Sequence, residues 1–299
     1  MADEKLFDES TRRKLEQLML VASRVRAGAM KGERRSTKRG TSIEFADYRN
    51  YVRGDDLRRL DWNIYARLER PFIKLLEDEE DLAVHLLLDV SASMDWPGEG
   101  DPDQNKLRYG QRLFAGLAYI SLATNDRLVL AGVTDSGVQQ FGPVRGRGYG
   151  IRMIQYVTDL KTAGILDLNQ SLKQYALRAS RPGLCFIISD MFSPSGYQDG
   201  VNALLAKGYE VGIIHVLSPD EVDPPLGGDL RLVDVETGAA QEVTIDGGMR
   251  DLYIRRLDAW REQIRADCVR RGVHYVSVTT DTPWEKVILF NLRRLGAVR

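Results

Sequence analysis

Cysteine, histidine and long apolar runs are all scarce in this chain, and each shortage narrows the possible functions. Only Cys185 and Cys268 occur in 299 residues, both in expected strand or helix interiors. Two such cysteines read as reduced core residues rather than a structural disulfide, which fits a reducing compartment. The three histidines, His85, His215 and His274, all fall in expected strands and read as core or strand-face residues. No stretch approaches the roughly 20 apolar residues of a membrane span. The charged start Met1-Ala2-Asp3-Glu4-Lys5 is not followed by the apolar segment of a secretory signal. With 42 basic and 43 acidic residues the net charge is −1, so no global field draws the chain to nucleic acid or an anionic membrane. The expectation is a cytoplasmic protein. Catalytic motifs are missing too. There is no Gly-x-Ser-x-Gly elbow. The glycine-rich segment Gly142–Gly150 lacks the Gly-Lys-Ser/Thr ending of a phosphate loop, and is expected to be a mobile loop.

What is present is a regular alternation. Leu15, Leu18, Met19, Ala22 and Val25 recur at helical spacing and predict a helix over 8–27. A basic stretch, 24–40, reads as a solvated loop without the aromatics that would stack bases. Residues 41–75 are rich in Asp, Arg, Tyr and Trp with weak periodicity. The acidic run Glu77–Asp81 reads as a solvated turn before the first strong strand, 82–89. Strands are then expected at 128–133, 138–141, 184–189, 211–217 and 273–279. Helices are expected at 107–122, 149–160, 169–179, 197–207 and 249–271, and another from Pro283. Pro219–Gly228 reads as a loop, and Glu236-Thr237-Gly238 as the turn of a hairpin. Strands separated by helices predict an α/β fold with a mostly parallel sheet flanked by helices. The expected division is an N-terminal helical and irregular arm, 1–81, and an α/β body, 82–299.

Two strand ends carry the chemistry. Leu86-Leu87-Leu88 runs into Asp89-Val90-Ser91-Ala92-Ser93, and Phe186-Ile187-Ile188-Ser189 runs into Asp190. In an extended strand end, residues 89, 91 and 93 point to one side. Carboxylate and hydroxyl oxygens suit a hard cation such as Mg²⁺. A cation held by few carboxylates attracts another from a partner, which favours adhesion over catalysis. The same pattern also suits a strand followed by a serine-capped helix, and the residues alone leave both readings open. A second candidate is the block containing Glu44, Asp47, Tyr48, Arg49, Asp55, Arg59, Asp61, Trp62 and Arg67. Arginine pairs with carboxylates and stacks on aromatic rings, so this block either locks the arm in place or forms a binding face.

Asp89-x-Ser91-x-Ser93 with the later Asp190 resembles the metal-ion-dependent adhesion site of von Willebrand factor A domains. The upstream residues Arg39-Gly40, Glu44-Phe45-Ala46-Asp47-Tyr48-Arg49, Gly54-Asp55-Asp56, Asp61-Trp62 and Tyr65-Ala66-Arg67 resemble a bacterial domain-of-unknown-function family. That family has an A-like, Rossmann-like fold and is typically associated with MoxR-type AAA+ ATPases. The resemblance implies metal ligation by Asp89, Ser91, Ser93 and Asp190. It also implies partnership with a MoxR-type ATPase and with membrane-bound A-domain proteins. One position departs from the pattern: Leu166 stands where the adhesion site has a threonine. Leucine cannot ligate, so Mg²⁺ is expected to be weakly bound or absent, with Thr162 and Asp167 as imperfect substitutes. The expected function is a non-enzymatic interaction adaptor acting in protein assembly or remodelling. The alternative is a metal-dependent hydrolase using Asp89 and Asp190.

Overall fold

Val84, Leu86 and Leu88 belong to one buried hydrophobic cluster and Leu87 to another. A strand that feeds two cores must be apolar on both faces, which is why residues 82–88 are apolar apart from His85. The computed structural model describes residues 9–22, 43–52, 60–78, 82–98, 101–134, 137–178, 181–225, 228–233, 240–245 and 247–299. In chain order, α1 (Glu9–Leu15), β1 (Ile43–Asn50), α2 (Trp62–Leu68) and β2 (Phe72–Asp78) come first. There follow β3 (Ala83–Asp89), α3 (Lys106–Ala123), β4 (Arg127–Thr134), β5 (Gly137–Val144), α4 (Gly150–Asp159), α5 (Leu168–Arg178), β6 (Leu184–Ser189) and α6 (Gln198–Ala206). The chain continues through β7 (Glu210–Leu217), α7 (Pro219–Val222), β8 (Gly228–Val233), β9 (Ala240–Ile245), α8 (Gly247–Arg271) and β10 (His274–Thr279). Last comes α9 (Trp284–Lys286), which runs into a π-helical stretch, Val287–Leu292.

Six strands form the main sheet in the order β10-β7-β6-β3-β4-β5. All neighbours are parallel except the edge pair β4–β5. The chain leaves β3 toward β4 on one side, whereas β6, β7 and β10 fill the other side. The switch point therefore lies between β3 and β6, where open α/β sheets bind ligands. Leu88 is level with Ile188 across that pair, so the strand ends at Asp89 and Ser189 lie side by side. The α/β expectation is met, with a mostly parallel sheet flanked by helices.

The chain divides into two compact units, residues 1–31 together with 82–299, and residues 32–81. The expected arm, 1–81, is therefore split. Leu15, Leu18, Leu20 and Ala22 lie in the core of the α/β unit. The helix predicted over 8–27 ends at Leu15. Beyond it Leu20 pairs with Val298 as an antiparallel bridge, and Met19 and Arg299 exchange backbone hydrogen bonds of 2.9 Å. Met19, counted as a core position of that helix, is exposed; residues 23–27 lie outside the described residues. In the second unit β1 and β2 pair antiparallel, with an irregularity between Phe45 and Asp47. This unit is thus a hairpin of strands with α2 between them rather than an irregular arm, and Glu77 and Asp78 belong to β2 instead of a turn. Gly142–Val144 likewise completes β5, and Arg147–Tyr149 forms a 3-10 turn in place of the expected loop.

Candidate functional site

Asp89 sits at the end of β3 with both carboxylate oxygens engaged by protein donors. Oδ1 accepts from the Ser91 N–H (2.9 Å) and the Ser91 hydroxyl (2.6 Å), and Oδ2 accepts from the Ser189 hydroxyl (2.6 Å). The Ser91 and Ser93 hydroxyls are 3.0 Å apart. Because the Ser91 proton goes to Asp89, Ser93 donates to Ser91. Burial, and then the neighbouring Asp190 charge, push the Asp89 carboxyl up to about 6 against the pull of these hydroxyls. The three residues converge as the sequence suggested, yet they turn inward to one another.

Asp190 is equally committed. Its Oδ1 accepts from the Phe192 N–H (3.1 Å) and its Oδ2 from Lys106 Nζ (2.7 Å). Lys106 is the site residue that sequence reasoning missed. Its side chain is 0% exposed, and its ammonium also donates to Glu221 Oε1 at 2.6 Å. The Phe192 ring covers it, with Nζ 5.2 Å from the ring centroid. Burial works to lower the Lys106 pKa, but the Asp190 and Glu221 charges overcome it, so the group stays cationic. Glu221 reaches the cluster from α7, in the segment expected to be a plain loop. Ser218 and Glu221 form a capping box there: the Ser218 N–H donates to Glu221 Oε2 (2.8 Å) and the Glu221 N–H to Ser218 Oγ (3.2 Å). The Ser-x-x-Glu spacing with Pro219 between is a legible helix start. Lys106 left a fainter signal. It is the first residue of an 18-residue helix with no acid in its first turn. A cation at the positive end of a helix dipole is unfavourable alone and implies a distant acidic partner.

The ligand set does not fit a hydrated divalent ion. Four carboxylate oxygens, two on Asp89 and two on Asp190, already accept hydrogen bonds within the protein. Leu166, at the expected threonine position, is buried among Leu168, Tyr197 and their neighbours. Its loop is clamped to the Asp89 turn: the Ala163 N–H donates to Val90 O (2.8 Å) and the Ala92 N–H to Gly164 O (2.9 Å). Gly164 has φ +66°, a conformation that favours glycine. Asp167 is used at the start of α5, its Oδ1 accepting from the Gln170 N–H and from Ser195 Oγ. Thr162 instead lines a cavity of about 910 Å³ beside α3, together with Arg108, Arg112 and Lys161. None of Asp89, Ser91, Ser93 or Asp190 lines that cavity.

The second candidate block separates into different roles. Asp61 caps α2, its Oδ1 accepting from the Asn63 N–H (2.9 Å) and the Ile64 N–H (3.2 Å). Trp62, by contrast, is 62% exposed, with Tyr65 and Leu68 also exposed three and six residues on. The Trp62 and Tyr65 rings meet edge to face at 6.1 Å, and Arg67 is exposed. Glu44, Asp47, Tyr48 and Arg49 lie on β1, where Tyr48 is level with Lys74 and Arg49 with Ile73; their side chains lie outside the described residues. Asp55 and Arg59 fall entirely outside them.

The histidines lie on strands and have partners. His85 contacts the Tyr175 hydroxyl (2.7 Å) and Arg181 O (3.0 Å), His215 the Tyr275 hydroxyl (2.7 Å), and His274 the Glu210 carboxylate (2.9 Å). Burial pushes both His85 and His215 down to about 4. Cys185 and Cys268 are free and buried, and burial raises both thiol pKa values above the usual range.

The chain is 28% identical over 276 residues to the uncharacterized protein Rv1480 of Mycobacterium tuberculosis, covering 91% of this chain and 86% of that one. The conserved hypothetical protein BatB of Bacteroides thetaiotaomicron superposes with a TM-score of 0.45 at 15% identity, covering 72% of this chain and 98% of BatB. An aerotolerance-related membrane protein of Bacteroides fragilis superposes with a TM-score of 0.44 at 15% identity, covering 71% and 99%. Among the described residues, no helix is long and apolar enough to cross a membrane. The model of the family described as protein of unknown function DUF58 matches residues 47–263, and the chain belongs to that family.

Proposed function

We propose that the protein is a non-enzymatic interaction adaptor that docks a MoxR-type AAA+ ATPase through the outer face of α2. The observation that carries this reading is the exposure of Trp62, Tyr65 and Leu68 along one side of a helix that buries none of its residues. Tryptophan and tyrosine are the residue types that concentrate binding energy at interfaces. A helix keeps them in water at a cost in solubility unless a partner covers them. The ATPase as occupant rests on the resemblance carried by residues 39–67, of which Asp61-Trp62 and Tyr65-Ala66-Arg67 are the α2 part. No observation favours the hydrolase reading, because the two aspartates accept internal hydrogen bonds and line neither the cavity beside α3 nor the one beside His85.

The test is capture of the purified ATPase by the immobilised full chain, with and without EDTA. The double variant Trp62→Ala/Tyr65→Ala should keep the wild-type melting temperature and lose about tenfold or more in affinity. Unchanged capture by the folded variant would remove the reading.

A further inference from the structure

We propose that the Lys106 ammonium is the resident cation of the sheet's switch point, tethered to α3 and standing in for the divalent ion of an adhesion site. The inference concerns the strand ends rather than α2 and does not depend on which partner α2 binds.

Asp190 is one of the two carboxylates that the adhesion pattern assigns to the metal, and its Oδ2 lies 2.7 Å from Lys106 Nζ. A second carboxylate, Glu221, completes the pairing at 2.6 Å. Both contacts are at charge-assisted hydrogen-bond length. The lysine side chain is 0% exposed and that of Asp190 1%, so neither charge is relieved by water. A buried ion persists only when paired and hydrogen-bonded, and here one ammonium is shared by two carboxylates. The remaining face of the ammonium is turned to the Phe192 ring, whose π-face attracts a cation.

A divalent ion joins loops by drawing several oxygens to one point. Lys106 does the same from a fixed base. Asn105 caps α3 by accepting from the Arg108 N–H (3.1 Å) and also donates to Asp95 Oδ1 (2.9 Å), while the Lys106 N–H donates to Trp96 O (2.8 Å). The side chain then reaches the loop after β6 through Asp190 and the turn after β7 through Glu221. Three segments at the same sheet edge are thereby linked without an exchangeable ligand. Leu166 fits this arrangement, because a site with its own cation needs no threonine oxygen.

The experiment measures thermal unfolding of the full chain with MnCl₂, MgCl₂ or EDTA, and direct Mn²⁺ binding by electron paramagnetic resonance. The wild type should bind no Mn²⁺ at millimolar concentration and should melt at one temperature in all three conditions. Lys106→Met should melt lower by on the order of 10 °C, and Mn²⁺ should recover part of that loss. The recovery should vanish in Lys106→Met/Asp190→Asn. Lys106→Gln, which keeps an N–H donor for one carboxylate, serves if Lys106→Met does not fold. Two results would overturn the proposal. One is Mn²⁺ uptake by the wild type that Asp190→Asn abolishes, which would show a working metal site beside the lysine. The other is a folded Lys106 variant whose melting is indifferent to Mn²⁺, which would make the lysine an ordinary buried ion pair away from the cation position.

Discussion

The end of the main sheet and helix α2 are opposites in how they treat their notable side chains. At the sheet's end Asp89 is held by the Ser91 and Ser189 hydroxyls, and Asp190 and Glu221 are held by Lys106. On α2, Trp62 and Tyr65 face outward, and only the cap residue Asp61 is spent on structure. The region richest in charged and hydroxyl groups is thus the less able to receive a ligand. Its groups hold loops together through bonds within the protein. The aromatic helix contributes little to a core and has its contact area free. Polarity marks where a fold needs reinforcing as often as where it does chemistry, and exposure distinguishes the two.

The sharpest way to break this contrast is to remove the central charge. Lys106→Met leaves Asp190 and Glu221 buried without a cation, and equilibrium urea unfolding should show a loss of about 3–5 kcal/mol. A loss near zero would mean that the sheet edge is not a lock.

Acid should act more gradually on the same α/β unit. His85 and His215 are held near 4 by burial, below the 6.5 of an unfolded histidine. Between those values the native state binds fewer protons than the unfolded chain. Their contribution is present above about pH 6.5 and is lost as pH falls toward 4, by up to about 3 kcal/mol per histidine. Asp89, raised from 3.8 to about 6, works in the opposite sense, because its protonation favours the native state. Burial raises the Glu221 carboxyl as well, so two carboxyls oppose the two histidines without cancelling them, and stability should fall on acidification. Urea unfolding at a series of pH values checks this, and His85→Gln should reduce the slope by about one proton. A flat profile would contradict the burial argument.

A smaller effect is expected where the adhesion pattern fails. Leu166→Thr restores the missing hydroxyl but places it in an apolar cluster, and should cost about 2 kcal/mol without conferring Mn²⁺ binding while Lys106 remains. Metal binding by this single variant would show that the leucine alone disables the site. The smallest change in stability belongs to Trp62→Ala/Tyr65→Ala, expected within about 0.5 kcal/mol of wild type because both rings are exposed. A large destabilisation there would make α2 a locking element and remove the contrast with the sheet edge.

Much of the fold was legible in the apolar runs. Residues 86–88, 184–188 and 213–214 are apolar without a break because both sheet faces are covered, and such runs bounded by turn residues mark buried strands well. The N-terminal segment was misread because Leu15, Leu18 and Ala22 satisfy a helical spacing, while Leu18, Leu20 and Ala22 also satisfy the alternation of an extended chain. Pairing with Val298 decides between them, and that partner lies at the other end of the sequence. The candidate site was legible as to position and illegible as to state. Asp89, Ser91, Ser93 and Asp190 were found, but Lys106 and Glu221 were not, since nothing local joins residues 84 and 115 positions from their ion-pair partners.

The sequence by itself determined the alternation of strands and helices, the acid at the end of each of two apolar strands, and the leucine at position 166, because each is read from residues near one another in the chain. Only the tertiary structure decided that a lysine at the start of a helix meets those acids and that Trp62 stays in water. Burial and ion pairing depend on which distant segments pack together, and that information is spread over the whole chain rather than written at either residue.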